Sequence, residues 1–190
     1  ITEAKVHDVN VMDEIPYEPY AFYIFDKGYY DLARLYTINT IGSYFVIRQK
    51  SHLKYKVVDG KERLDGADNV LLDQTISLTG YKTRKKYSIV LRKIVYYAPD
   101  LRRTFTFLTN NLNIKAKDIA TLYKQRWQVE LFFRWIKQHL RITSFWGNTE
   151  NAVRIQIYVA VITYCLVAII EHDCQLGRTT FNVLRVFSRV

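Results

Sequence analysis

A single predicted helix, over residues 116–140, constrains this chain more than any other segment. Large apolar side chains crowd it, and polar residues interrupt them at offsets of 0, 3, 7 and 14: Tyr123, Arg126, Glu130 and Lys137. At about 100° per residue, these four fall within roughly 60° of arc, with Arg134 and Arg141 beside them. The pattern predicts an unbroken, nearly buried helix with one narrow polar face. A lone carboxylate in a row of cations suits a metal-dependent site that holds a polyanion.

The composition fits one sizeable core and an anionic partner. The chain has 190 residues, of which 49% are hydrophobic, so length alone suggests one domain. A net charge of +10 points towards nucleic acid or an anionic surface. Two cysteines make no disulfide framework and suit free thiols in a reducing compartment. The chain opens on Ile, not Met, which suggests a fragment or a processed chain.

The remaining segments alternate between helix and strand patterns. The apolar run 20–25 predicts a buried strand that ends directly at Asp26, followed by a helix over 29–36 and a strand over 41–47. Residues 44–108 predict an antiparallel, β-rich region, with turns at Asp59-Gly60, 65–66 and 79–80. A second apolar helix is expected over 150–173. Its run 155–170 is short for a membrane span, so we interpret it as a buried core helix.

Two carboxylates are candidates for chemistry, and each has a plainer interpretation. Asp26 stands where a strand ends, a position at which α/β proteins commonly bind ligands and metals, although it could simply begin a turn with Gly28. Glu130 has arginines four residues to either side and could link them in salt bridges. A buried carboxylate, however, needs a partner or a metal.

Two groups of cations are candidates for binding phosphate. Tyr123, Arg126, Arg134 and Lys137 follow the polar face of the predicted helix, and arginine offers a planar fork for phosphate. The basic strands predicted over 81–103 carry a second group, with Asp100 as the single acid. Its candidate DNA-binding residues are Lys82, Arg84, Lys85 and Lys86.

These motifs resemble those of a known family. Tyr123-x2-Arg126-x3-Glu130-x6-Lys137 resembles the Tyr-Arg-Glu-Lys signature of a large bacterial insertion-sequence transposase family of the DDE class. The segment 25–29, FDKGY, resembles that family's segment around the second catalytic Asp, and GNTENAVRIQIYVAVITY resembles its following helix. The resemblance covers most of residues 7–170.

The resemblance implies an α/β fold with an RNase H-like core, a mixed sheet flanked by helices, whose N-terminal strands are missing here. The expected organisation is a single partial catalytic domain over 1–190. Its core comprises 1–40 and 105–175, and 41–104 form an inserted antiparallel β-rich subdomain. Asp26 would be the second catalytic Asp and Glu130 the Glu. The first Asp is expected upstream of this chain, so the fragment is expected to be inactive alone.

The function implied is DNA transposition, with cleavage and strand transfer at insertion-sequence ends. Asp26 and Glu130 would be ligands in a two-metal site for Mg²⁺ or Mn²⁺. The expected partners are transposon-end and target DNA, with a homodimer in the synaptic complex and no membrane. The expected location is the bacterial cytoplasm, at the nucleoid. Two alternatives stay open: a non-catalytic DNA-binding remnant, and another RNase H-like nuclease that hydrolyses DNA without strand transfer.

Overall fold

The structure is a computed structural model that describes residues 8–50, 52–62, 67–139 and 145–175, together with Gly177 and Asn182. These residues form two compact units, one ending at Arg126 and one beginning at Trp127. We call them the sheet unit and the helical unit. Three parts of the predictions lie outside the described residues: the turn at 65–66, Arg141, and the end of the helix predicted to run to residue 140.

The sheet unit is α/β, with one mixed six-stranded sheet. Its strands are β1 (Phe22–Phe25), β2 (Tyr44–Arg48), β3 (Tyr55–Glu62), β4 (Val70–Leu78), β5 (Leu91–Ala98) and β6 (Arg103–Thr109). Its helices are α1 (Leu32–Thr40), α2 (Tyr81–Lys86) and α3 (Ala116–Gln125). The strand order is β1-β2-β6-β5-β4-β3, with β1 and β2 parallel and every other neighbouring pair antiparallel. The strands predicted over 20–25 and 41–47 are therefore present, and the region 44–108 is β-rich as predicted.

Alternating side chains give the sheet two apolar faces. On one face, Phe45 and Ile47 of β2 pack with Leu35 and Ile38 of α1. On the other, Val46 of β2 packs in a cluster that includes Ile119 and Tyr123 of α3. The sheet is thus a layer between helices, as the predicted α/β class requires.

The helix predicted over 29–36 begins three residues later than expected. Asp31 caps α1 by accepting hydrogen bonds from the backbone N–H groups of Ala33 and Arg34, at 2.9 and 3.2 Å. An aspartate at this position satisfies donors that the first helical turn leaves unpaired. Residues 27–29 form a separate 3-10 turn directly after Asp26.

Two predictions within the β-rich region are wrong. Asp59-Gly60 is not a turn, because β3 continues through it with a bulge between Val57 and Asp59. Gly60 has φ +123°, and a Cβ there would lie 2.5 Å from the Asp73 carbonyl oxygen, so the glycine permits the bulge. The basic run 81–86 is not a strand but the helix α2, which Gly80 precedes in an extended conformation. Lysine and arginine favour helix once such a start is available.

The expected single helix over 116–140 is two helices. After α3, Arg126 donates its backbone N–H to the Tyr123 carbonyl at 3.2 Å, a bond that spans three residues instead of four. This tighter turn interrupts the α-helical hydrogen-bond pattern. The next helix, α4 (Trp127–His139), then begins and belongs to the helical unit.

The helical unit pairs α4 with α5 (Glu150–Asp173). The Tyr164 ring packs edge-on against Phe132 and Trp135, with centroids 4.8 and 4.9 Å apart. Thr149 caps α5 by accepting from the Ala152 N–H at 3.2 Å.

The expectation that α4 and α5 are buried is wrong for the described residues. In α5 only Ala160 and Val167 are buried, and large apolar side chains of both helices are about half exposed: Trp127, Val129, Phe133, Ile155, Tyr158, Val159, Ile162, Leu166 and Ile169. The 13 described residues of α4 span about 20 Å, so they cover only part of the 24-residue α5. By length and composition α5 could cross a membrane, a test that core helices of globular proteins also pass.

A buried ion pair joins β4, β5 and the loop before α3. Arg92 is 8% exposed and donates from Nε and Nη2 to the two carboxylate oxygens of Asp73, each at 2.7 Å. Its Nη1 donates to the Ile114 carbonyl at 2.5 Å. The paired guanidinium therefore holds the start of α3 against the sheet.

We expect Arg92→Ala to lower the free energy of unfolding by about 2 to 3 kcal/mol, because the Asp73 carboxylate would lose its partner in a partly buried site. Urea denaturation followed by circular dichroism measures this change. Lys124→Ala removes the exposed cation of the Lys124–Asp100 pair and should lower the free energy of unfolding much less, because solvent screens that pair. Equal effects of the two substitutions would contradict a structural role for Arg92.

Buried tyrosines should make the fold sensitive to alkali. Burial raises the pKa of Tyr30 to about 12 and raises the pKa of Tyr87 further. Unfolded phenols ionise near pH 10, so the stability that these groups contribute is complete below about pH 10 and is lost as the pH rises above it.

Tyr87→Phe should therefore reduce the loss of unfolding free energy between pH 7 and pH 11. At pH 7 we expect stability to be retained, because the buried Tyr87 hydroxyl has no hydrogen-bond partner among the described residues. Urea denaturation at the two pH values measures both effects. The matched control is Tyr81→Phe, at a residue that is 74% exposed and should leave the pH dependence unchanged.

Candidate active site

Asp26 lies at the carboxyl end of β1, on the α3 face of the sheet. Phe22 and Ile24, two and four residues earlier, pack in the cluster that contains α3, and alternation brings Asp26 to the same face. Its Oδ1 accepts from the Lys27 backbone N–H at 2.6 Å. The carboxylate is half-buried and rigidly held at the edge of the sheet.

Tyr123 of α3 reaches Asp26 across 97 residues of sequence. Its hydroxyl donates to Asp26 Oδ1 at 3.4 Å, and its ring packs on Phe107 of β6 with centroids 4.7 Å apart. Burial raises the pKa of Tyr123 above its ordinary value of 10, and the Asp26 charge raises it further. Tyr123 is thus a neutral hydrogen-bond donor at physiological pH.

Arg126 adds a cation to this pair. Its guanidinium carbon lies 5.7 Å from the centroid of the Tyr123 ring, within cation–π range. Its positive charge, with that of Arg48, lowers the pKa of the Tyr123 phenol and so opposes the effects of burial and of Asp26. The structure therefore brings together three predicted residues, Asp26, Tyr123 and Arg126.

Arg48 is a site residue that the sequence pattern did not reveal. The parallel register pairs Phe25 with Ile47, so the next residues, Asp26 and Arg48, are neighbours at the ends of their strands. The Arg48 guanidinium carbon lies 5.1 Å from the Phe105 ring centroid, and that of Arg103 lies 5.5 Å from the same centroid. A strand ending in arginine directly after the strand that ends in Asp26 is a signal that could have identified it, since parallel neighbours end at the same edge.

The other predicted residues belong to α4 and α2. Glu130, Arg134 and Lys137 are on α4 of the helical unit, spaced to share one helix face. Glu130 is partly buried, whereas Arg134 and Lys137 are exposed. The four basic residues of α2 are exposed at the other end of the sheet and are not part of the Asp26 site.

The Asp26 carboxylate has the donor chemistry that a hard divalent cation requires. Mg²⁺ prefers carboxylate oxygens, and among the described residues no hydrogen bond engages Asp26 Oδ2. Asp26 therefore fits one ligand position. No group of three His, Cys, Asp or Glu side chains that could hold an ion occurs within the described residues.

Comparison with known proteins assigns the family. A family model described as the transposase DDE domain matches residues 1–166. A putative transposase of Sinorhizobium fredii, y4zB, is 42% identical over 189 residues, which cover 97% of this chain and 51% of the relative. A probable transposase for insertion sequence element IS5377 of Geobacillus stearothermophilus is 34% identical over 142 residues, covering 74% of this chain and 37% of the relative.

A third relative is a putative transposase for insertion sequence element IS4SA of a Synechocystis strain. It is 28% identical over 170 residues, covering 85% of this chain and 45% of the relative. The chain belongs to the DDE transposase domain family, as the resemblance in its motifs indicated. It spans about half the length, or less, of these curated relatives.

The charges around Tyr123 predict shifts of its pKa in opposite directions in two variants. Asp26→Asn should lower the pKa of Tyr123, because it removes a negative charge that opposes ionisation, whereas Arg126→Gln should raise it by removing a positive charge. Titration of ¹³Cζ-labelled tyrosine by NMR measures both shifts. Lys124→Gln, at a neighbouring exposed residue, should leave the Tyr123 pKa nearly unchanged. Shifts of the same sign in the Asp26 and Arg126 variants would contradict the arrangement.

Proposed function

We propose that this chain supplies part of the catalytic domain of an insertion-sequence transposase, with Asp26 and Glu130 as metal-binding carboxylates. The observation that carries the proposal is the contact between Asp26 and the Tyr123 hydroxyl. Nothing local in the sequence forces these residues together, yet both belong to segments that resemble the family's catalytic motifs. Membership of the DDE transposase family supports the assignment.

The sheet unit supports an RNase H-like core as the scaffold. The parallel pair β1–β2, with α1 between the strands, holds Asp26 at a strand end, and the antiparallel strands follow in the chain. We assign 1–40 and 105–175 to the core and 41–104 to an inserted β-rich subdomain. Of the strands in that segment, β5, β4 and β3 continue the same sheet beyond β6, whereas β2 lies between β1 and β6.

In the proposed reaction, Mg²⁺ or Mn²⁺ ions would activate the attacking water or 3′-hydroxyl and stabilise the leaving oxygen of the DNA backbone. Asp26 would present Oδ2 as a ligand while the Lys27 N–H and the Tyr123 hydroxyl orient Oδ1. Glu130 would supply a second carboxylate from α4. A third is expected from elsewhere in the polypeptide, which is why we expect no cleavage by these residues alone.

The cations around Asp26 would hold DNA phosphates. Arg48 and Arg126 have planar guanidinium groups supported by aromatic rings, so little side-chain entropy is lost when they bind phosphate. Arg134 and Lys137 would extend the contacts along α4, and the basic residues of α2 would add DNA contacts of their own. The proposed partners are transposon-end and target DNA, bound in the bacterial cytoplasm, with two copies joined when two ends are synapsed.

Substitution of the carboxylates in the complete transposase tests the proposal. Asp26→Asn and Glu130→Gln should each reduce cleavage of a labelled transposon-end duplex by more than about 100-fold, because metal stabilisation worth several kcal/mol is lost. Binding of the duplex, measured by gel shift, should persist. Asp100→Asn is the matched control, since Asp100 is an exposed acid paired with Lys124, and it should cleave normally.

Retained cleavage by either carboxylate variant would overturn the assignment. The products also separate the proposed function from its alternatives. Covalently joined transposon–target DNA supports transposition, hydrolysis without joining supports a nuclease of the same fold, and binding without any cleavage by the complete protein supports a DNA-binding remnant.

A further inference from the structure

The strand β3 forms one edge of the sheet. It pairs with β4 on one side, and among the described residues no strand pairs with its other side. Alternate residues of such an edge turn their backbone N–H and C=O groups outward, where another strand can bind them. The Lys54 carbonyl accepts from the Thr79 N–H at 3.0 Å and so points inward, which turns the next residue, Tyr55, outward. The Gly60 N–H donates to the neighbouring Asp59 carboxylate at 2.8 Å, an acceptor that a second strand can replace.

The bulge in β3 places two opposite charges on the same face of this edge. Side chains two apart share a face of a strand, so Lys56 and Asp59, three residues apart, would lie on opposite faces of a regular strand. The extra residue of the bulge, Val58, changes this. Lys56 pairs with Ser77 and Asp59 pairs with Thr75, and those two partners are two residues apart in β4. Lys56 and Asp59 therefore share a face.

The centre of β3 is exposed and symmetric in charge. Lys56 and Asp59 are both exposed, and neither has an ion-pair partner among the described residues. Between them, Val57 and Val58 are 48% and 54% exposed. Lysines and bulges at a sheet edge ordinarily discourage pairing with another chain. In β3, however, the cation and the carboxylate are equally far from the midpoint between the two valines, so the edge is complementary to itself.

A second copy of β3 matches this edge when the two strands run antiparallel about that midpoint. Lys56 of each copy then lies opposite Asp59 of the other, and opposite charges placed in this way stabilise a strand pair. Val57 of each copy lies opposite Val58 of the other, so the half-exposed valines cover one another at the centre. Each contact occurs twice, because a two-fold axis relates the copies.

The outer residues of the strand pair are also complementary. Tyr55 of each copy lies opposite Gly60 of the other, and the two share a face, since their partners Leu78 and Gln74 are four residues apart in β4. An aromatic ring can cover the backbone that an edge glycine leaves bare. The Tyr55 ring is held in place, because the Lys93 ammonium donates to its hydroxyl at 2.5 Å and lies 4.6 Å from its centroid.

We infer that β3 is a self-association surface, through which two copies of this chain pair antiparallel and join their sheets into one sheet of twelve strands. The proposed function joins two copies when two DNA ends are synapsed, and it names no surface for that step. Pairing through β3 needs no DNA and does not involve the Asp26 site. An unrelated extended peptide could bind the backbone groups of this edge, but it would lack the matching order of charges.

Sedimentation equilibrium of the full chain without DNA tests the pairing. The measurement is made in 150 mM KCl, where screening limits the repulsion between two chains of net charge +10. The wild-type chain should form a dimer whose share rises with concentration. Lys56→Glu places two carboxylates opposite each other in both charge pairs, and Asp59→Lys places two cations there. Each substitution should raise the dissociation constant of the dimer at least about tenfold.

A mixture of the two variants tests which residues face each other. When a Lys56→Glu chain pairs with an Asp59→Lys chain, both charge pairs again have opposite signs. An equimolar mixture should therefore regain the dimer that each variant forms poorly alone. Lys50→Glu is the matched control, because it makes the same charge change at an exposed residue just after β2, with three strands between β2 and β3. It should leave the dissociation constant nearly unchanged. Circular dichroism confirms that each variant folds.

Three results would overturn the inference. The first is a wild-type chain that stays monomeric up to about 200 µM. The second is a pair of β3 variants that dimerise as well as the wild type, or that fail to recover on mixing. The third is a series of species larger than the dimer, since a two-fold pairing closes and does not polymerise. Each of these leaves the Asp26 site unaffected, and retained cleavage by the Asp26→Asn variant would overturn the proposed function without affecting the pairing.

Discussion

The parallel pairing of β1 and β2 is the constraint on which the rest of the site depends. Parallel neighbours end at the same edge of a sheet, so this pairing makes Asp26 and Arg48 neighbours at one edge. The connection between two parallel strands must cross over one face of the sheet, and α1 forms this connection. Leu35 and Ile38 of α1 are buried. Without this pairing, Asp26 would be an ordinary residue at the start of a turn.

The position of α3 then decides what Asp26 can contact. Arg92 holds the loop before α3 through the Ile114 carbonyl, and Phe107 receives the Tyr123 ring at the other end of the helix. A buried guanidinium would be costly alone, but the Asp73 carboxylate opposes its charge and accepts two hydrogen bonds from it. The contact between Tyr123 and Asp26 is therefore a consequence of packing far from both residues.

Local patterns in the sequence predicted strands and helix starts, but they did not reveal the features that depend on which strands pair. Apolar runs predicted β1, β2 and the β-rich region that follows, and Asp31 and Thr149 are side-chain caps of the kind expected at helix starts. The role of Arg48 depends on β2 lying parallel beside β1, and its position at a strand end becomes informative only once that pairing is known. The break at Arg126 follows from one hydrogen bond that spans three residues instead of four. The periodicity of the side chains does not reveal such a bond.

The cations behind the net charge of +10 fall into two groups with different surroundings. Cations that hold the fold, such as Arg92 and Arg34, are paired with aspartates, so their charge is neutralised within the protein. The cations of α2 project from a helix that a buried tyrosine anchors. Net repulsion among such groups disfavours the compact state, and a polyanion that neutralises them relieves it.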